Sequence, residues 1–251
     1  MARGEHERVV EVLAAGLHHL TRSKAEGTHC SATGVFPTVP CVDAVVREPS
    51  GRRLRYAILD DTDLGTFAER TVIDVRRSIV LPDGADPVRI AAVMNPGMSS
   101  WVALRRRIDF RAGQRVLVLG ATGSAGRMAV QIAKRFGAAE VFAVGRNAGR
   151  PAELPALGAD RALTFEEIAA AADVDVVLDF VRGEPAAGAM LEIVGSGIGS
   201  LSARDFLAEL PELASAVTEG ALDVRARAVA PSGIGEAWND HRSDERLVYV
   251  P

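Results

Sequence analysis

The segment Gly120-Ala121-Thr122-Gly123-Ser124-Ala125-Gly126 constrains this chain more than any other. Before it, Arg115 to Leu119 is a continuous apolar run bounded by Gly113 and Gly120. After it, Ala125, Met128, Ala129, Ile132, Ala133 and Phe136 recur on one helical face between Ser124 and Gly137. An apolar strand, a glycine turn and a one-faced helix, in that order, open a βαβ unit. Ala121 takes the first turn position, Gly123 lets the backbone approach a pyrophosphate, and Gly126 lets the helix pack closely on the strand. The N–H groups and positive dipole end of that helix receive the anion. Ala121, Thr122, Gly123, Ser124, Ala125 and Gly126 are therefore candidate cofactor-binding residues. A glycine turn that only tightens a βα corner is the plainer alternative.

The unit repeats down the chain. A strand over Glu140 to Val144, a short helix near Ala152 to Leu157 and a strand over Arg161 to Leu163 come next. Thr164 with Glu167 then reads as a capping box opening a helix, and Val174 to Phe180 as a fourth apolar strand. Such alternation requires parallel strands with right-handed crossovers, a doubly wound α/β sheet. Beyond Asp179 the pattern weakens. A helical segment from Glu184 runs into Leu191 to Val194 and the glycine-rich Gly195 to Gly199. A helix over Ala203 to Thr218, capped by Ser202 with Asp205, follows, then a strand near Asp223 to Val229, a short helix with Trp238, and a last strand over Leu247 to Val250.

Residues 1 to about 85 differ in character. Short β-like runs (Val9 to Leu13, Val42 to Val46, Leu54 to Leu59, Thr71 to Val75) alternate with punctuation such as Glu48-Pro49-Ser50-Gly51, which predicts an antiparallel, loop-rich lobe. Asp86-Pro87 starts a helix. Asn95-Pro96-Gly97 is expected to interrupt it before a second stretch to Arg107, and a domain boundary is expected near residue 85.

A length of 251 residues suits one large domain or two small ones. The 33 acids and 29 bases give a net charge of −4, which offers no electrostatic footprint for nucleic acid and favours a small-molecule substrate. Cys30 and Cys41 are too few for a disulfide framework. The charged N-terminus has no secretory apolar core, and no apolar run nears the roughly 18 residues that span a bilayer, so no membrane role and a cytoplasmic location are expected.

Cofactor choice is written at the end of the second parallel strand. NAD-specific sites place an acid there for the ribose hydroxyls. Here the strand ends Val144-Gly145-Arg146-Asn147, with Arg150 close behind. A guanidinium in place of the acid favours pairing with a 2′-phosphate, hence NADP(H), against the alternative of a solvated arginine.

The stretch from Val116 to Ala139, the preceding Met94 to Arg107, Leu64 to Val72, Leu157 to Asp160, Asp175 to Val181 and the closing Leu247 to Pro251 resemble the zinc-independent, quinone oxidoreductase-like branch of the medium-chain dehydrogenase/reductase superfamily. The resemblance covers most of the chain. It implies a Rossmann-like lobe over 86–220 and a smaller GroES-like, β-rich lobe over 1–85 with 221–251. It also implies a homodimer and hydride transfer from NADPH to a quinone or an α,β-unsaturated carbonyl. The chain departs from the family by lacking its opening β-hairpin and the loop, strand and connection that precede the segment at Gly195. That missing strand helps line the family's nicotinamide pocket, so a non-redox descendant (cyclase, isomerase or binding protein) is the alternative function.

Pro40-Cys41-Val42-Asp43-Ala44 stands where relatives often carry a glycine-rich Pro-Gly-x-(Asp/Glu)-Gly turn, and Cys41-Val42-Asp43 replaces the Gly-His-Glu of zinc-binding relatives. His29 with Cys30 and Cys41 gives no four-ligand spacing, so no metal is expected. A reductase of this kind also needs a proton donor. Tyr56, His18 and His29 are the catalytic candidates, with His19 beside them, each weighed against an ordinary core or surface role. Asn95 is a candidate cofactor contact or helix cap. Arg105-Arg106-Arg107 reads as a solvated basic helix end.

Overall fold

The computed structural model describes residues 4–29, 32, 34–49, 51–59, 63–146, 151–181, 202–240 and 245–251. They form two compact units, Met1–Asn95 with Ala203–Pro251, and Pro96–Ser202.

In the first unit β1 (Glu7–Gly16) is the central strand. It is followed by the short helix α1 (His19–Ala25) and by β2 (Asp43–Arg47), β3 (Leu54–Ile58), β4 (Arg70–Asp74) and β5 (Ser78–Val80). β1 pairs antiparallel with β4 from Glu7↔Asp74 to Glu11↔Arg70 and with β2 at Val12↔Val46. β2 pairs with β3 from Asp43↔Ile58 to Arg47↔Leu54, and β3 pairs with β5. The alternating apolar residues of these strands, among them Val10, Val12, Val46, Ala57 and Ile73, form the core of this unit.

The helix at Asp86-Pro87 does not break where expected. α2 runs unbroken from Pro87 to Val102 with Pro96 inside it and passes into a wide π turn at Ala103–Arg107. Pro96 has no N–H to give the preceding turn. Burial of Met94, Met98 and Trp101 on both sides of it outweighs that lost bond, and the Ser99 and Ser100 hydroxyls donate to the Pro96 and Gly97 carbonyls, each at 3.2 Å. The divide between units also falls between Asn95 and Pro96 rather than near residue 85. The start of α2 lies so close to β1 that a Cβ on Gly16 would stand 2.9 Å from the Ala91 carbonyl oxygen.

The second unit is the expected parallel sheet. β6 (Arg115–Leu119), β7 (Glu140–Gly145), β8 (Arg161–Thr164) and β9 (Val176–Asp179) lie in the order β8-β7-β6-β9, so β6 is central and the order reverses beside it. Helix α3 (Ser124–Arg135) joins β6 to β7 and buries Met128, Ala129, Ile132 and Ala133. The expected helix near Ala152 is a pair of 3₁₀ turns, Pro151–Glu153 and Pro155–Leu157. After Thr164 there is only the turn Ile168–Ala170, although Glu167 accepts the Thr164 N–H at 2.9 Å as a capping box should. Too few residues remain before Asp173, at φ 53, reverses the chain, and a helix nucleus that short does not propagate. The expected segments from Glu184 to Gly199 lie outside the described residues.

The chain then returns to the first unit. α4 (Ala203–Thr218) keeps the bounds read from the sequence, and β10 (Ala226–Val229), α5 (Ile234–Trp238) and β11 (Arg246–Tyr249) follow. β11 pairs with the end of β1 at Ala15↔Tyr249 and in parallel with β10. This completes a seven-stranded sheet ordered β10-β11-β1-β2-β3-β5, with β4 on β1. α4 and the start of α2 thus fall with the β-rich unit, where the sequence places them in the parallel one. Among the described residues no helix is long and apolar enough to cross a membrane.

Candidate functional site

The glycine loop links β6 to α3. The N–H groups of Gly120 and Ala121 both donate to the Val144 carbonyl at 2.9 Å, which ties the loop to the end of β7, and Gly123 N–H donates to the Gly120 carbonyl at 3.0 Å. Gly120 sits at φ 79, in the left-handed region that glycine occupies without strain. Gly123 is the N-cap of α3 and brings no side chain to its first-turn N–H groups, and that turn holds no acid. The helix therefore presents its partial positive end unscreened.

The two later glycines have different reasons to be bare. A Cβ on Gly126 would overlap the Gly120 carbonyl and stand 2.6 Å from Ala121 Cα, so α3 starts hard against the loop. Among the described residues a Cβ on Gly123 would meet only the Gly120 oxygen, at 3.4 Å, so none of them fills the room a ligand would need there. Arg146 follows β7 directly, is exposed, and makes no hydrogen bond or ion pair among the described residues. Its neighbour Arg150 lies outside them. A dinucleotide's pyrophosphate fits the bare helix end, and a phosphate on its ribose fits the unpaired guanidinium.

In the first unit several segments converge on Asp43, at the start of β2. His18 Nε2 donates to Oδ1 at 2.7 Å and the Tyr56 hydroxyl to Oδ2 at 2.6 Å. Asn95 Nδ2 lies 3.5 Å from Oδ1, and Cys41 Sγ 4.0 Å from it. The Arg246 guanidinium supplies the opposite charge. Asp43, His18, Cys41 and Tyr56 are all buried. Burial first, then the Asp43 charge and hydrogen bond, raise the Tyr56 pKa well above its ordinary value, so the phenol keeps its proton. Burial also lowers the Arg246 pKa to about 10, which leaves it charged at neutral pH.

Two demands compete on His18. Burial alone would lower its pKa, and the Asp43 carboxylate overrides that and raises it. At the other ring nitrogen the backbone N–H of Thr21, which can only donate, gives a 3.2 Å hydrogen bond to Nδ1 and caps α1. The Thr21 hydroxyl lies 3.1 Å from the same nitrogen. Because a carboxylate only accepts, Nε2 carries a proton facing Asp43 whether the ring is neutral or charged.

The Nε2 proton bears on metal binding. Ligand atoms of His18, Cys41 and Asp43 lie within 4.8 Å of one another, a grouping the sequence did not reveal. Yet Nε2 carries a proton where a metal would need its lone pair, Asp43 already accepts from its neighbours, and Arg246 adds positive charge. The donor set fits a hydrogen-bonded hub better than a cation. Cys30 of the triplet considered from sequence lies outside the described residues, and His19 is exposed. Cys41 holds a left-handed backbone, φ 79, where the resemblance places a glycine.

The fold thus brings His18 and Tyr56, singled out for proton chemistry, together with Asn95, singled out as a cofactor contact or cap. It leaves His29 in the turn after α1. Sequence reasoning missed Asp43 and Arg246, and the available signal was an acid inside the otherwise apolar run Val42 to Val46.

No protein-family model matches the chain. It is 28% identical to "Probable NADPH-dependent quinone reductase tdiC" of Emericella nidulans over 335 positions, covering 96% of this chain and 91% of that protein. It is 29% identical over 150 positions to "Trans-enoyl reductase pgmF" of Aspergillus terreus, covering 53% of this chain and 42% of that protein. The quinone oxidoreductase of Thermus thermophilus, solved also with NADPH, superposes with a TM-score of 0.75 at 23% identity, over 100% of this chain and 93% of that one. The chain is thus similar over nearly its whole length to a protein named as an NADPH-dependent quinone reductase, and it has the fold of a solved quinone oxidoreductase. Its homologues include proteins named quinone oxidoreductase and quinone reductase, and its 251 residues are fewer than the 335 positions of the tdiC alignment.

Proposed function

We propose that this chain is an NADP(H)-dependent, zinc-free oxidoreductase that passes hydride to a quinone or an α,β-unsaturated carbonyl, and that it works as a homodimer. The observation that carries the reading is the bare N-terminus of α3, with Gly123 open to a ligand and unpaired Arg146 at the end of the adjoining strand. The names of the quinone and enoyl reductase relatives support the choice of acceptor.

In this reading the N–H groups around Gly123 to Gly126 hold a pyrophosphate and Arg146 pairs with a ribose 2′-phosphate. When bound, the nicotinamide supplies the hydride. Tyr56 and His18 hold the β-rich unit together, since both give their protons to Asp43. The proton that the reduced acceptor oxygen needs is drawn from solvent. The strand of the family that is missing before Gly195 favours the second reading, a non-redox descendant of the same scaffold. Incubation with NADPH and a panel of quinones and enones separates the two. Loss of reduced-nicotinamide absorbance with at least one acceptor is expected, and NADPH that binds but is never oxidised would leave the non-redox reading.

A further inference from the structure

Thr122 and Gly145 meet where the glycine loop crosses the end of β7. A Cβ on Gly145 would stand 2.6 Å from Thr122 Cγ2 and 3.4 Å from its Oγ1, so the threonine methyl occupies the space a side chain at 145 would need. The loop is fixed at this level by the two N–H groups that donate to the Val144 carbonyl. A β-branched side chain with its methyl docked in this way has little χ1 freedom left, and its hydroxyl direction is set with it. Among the described residues Thr122 Oγ1 has no hydrogen-bond partner. The next residue after Gly145 is Arg146, whose guanidinium is also unpaired.

We infer that Thr122 is a specificity-determining residue: its hydroxyl donates to the same ribose 2′-phosphate that Arg146 pairs, and Gly145 is bare so that Thr122 can hold this rotamer. The inference rests on the NADP(H) reading and sharpens it. A phosphate offers acceptors only, and a hydroxyl and a guanidinium both donate, so the two groups are complementary to one anion. NADH has no phosphate there and gains nothing from either.

Affinities for NADPH and NADH, measured by nicotinamide fluorescence, test this on four variants. Thr122→Val keeps the shape and removes the hydroxyl. It should weaken NADPH about tenfold, as expected for one charge-assisted hydrogen bond, and leave NADH within about twofold. Thr122→Ser keeps the hydroxyl and should hold NADPH within about threefold. Gly145→Ala should displace the threonine and mimic the valine variant. Adding Thr122→Ser to it removes the clashing methyl and should restore NADPH binding. Equal losses for both coenzymes in Thr122→Val, or no loss, would overturn the inference while leaving Arg146 in place. A wild-type protein that binds neither coenzyme, or both equally, would overturn the NADP(H) reading and this inference with it.

Discussion

The two units solve the problem of a polar site in opposite ways. In the parallel unit the polar groups are backbone N–H donors, gathered by one short run of consecutive residues and left uncovered at a helix end. In the β-rich unit they are side chains drawn from separate elements, His18 before α1 and Tyr56 on β3, buried, and turned inward on one carboxylate. A site built from backbone needs residues to be small. A hub built from side chains needs each donor to have its acceptor, because an unpaired buried group is costly. The first arrangement is suited to receive a ligand and the second to hold a fold.

Substitutions can separate these roles. The largest effect is expected from Asp43→Ala, which leaves the buried His18 N–H and Tyr56 hydroxyl without their common acceptor and the Arg246 charge without its counter-charge. It should destabilise the protein by roughly 3–5 kcal/mol in chemical denaturation. A loss below about 1 kcal/mol, the scale of an ordinary surface contact, would mean that the hub holds little.

Gly123→Val should do the reverse. Its side chain points into open space, so the denaturation midpoint should stay close to wild type while binding of both NADPH and NADH is lost. Unchanged binding would show that the loop holds no dinucleotide.

Cys41 offers a smaller test within the hub. Cys41→Gly relieves a left-handed backbone and should stay within about 1 kcal/mol of wild type, whereas Cys41→Val adds a β-branched side chain there and should cost about 1–3 kcal/mol by the same denaturation assay.

The smallest effect lies at the surface. The side-chain hydrogen bond from Arg76 lowers the Asp74 pKa from 3.8 to about 2. Because the folded pKa is depressed, the stability it contributes is present above 3.8 and fades as pH falls toward 2. For so exposed a pair this should amount to well under about 1 kcal/mol, seen as a slightly shallower acid limb in Asp74→Asn.

The same contrast explains what the sequence reveals. The glycine loop, the strands around it and the helix of Ala203–Thr218 are readable because their signals are local: a period, a turn, a cap. Pro96 misleads because the penalty of a proline is local while the burial of Met94, Met98 and Trp101 that offsets it is tertiary. Thr164 and Glu167 form their cap without a helix because a cap cannot supply length. The hub is only half visible. His18, Tyr56 and Asn95 each draw notice as single residues, but nothing in their spacing shows that β2, β3, α1 and α2 bring them to Asp43.

The proposed NADP(H) site depends on unpaired Arg146 beside the glycine loop. Affinities of NADPH and NADH for wild type and Arg146→Ala, read by nicotinamide fluorescence, test it most directly. Wild type should prefer NADPH, and the variant should lose roughly 10- to 100-fold in NADPH affinity, the scale of a hydrogen bond to a charged group, with NADH almost unchanged. Equal losses for the two coenzymes, or no loss for either, would contradict it.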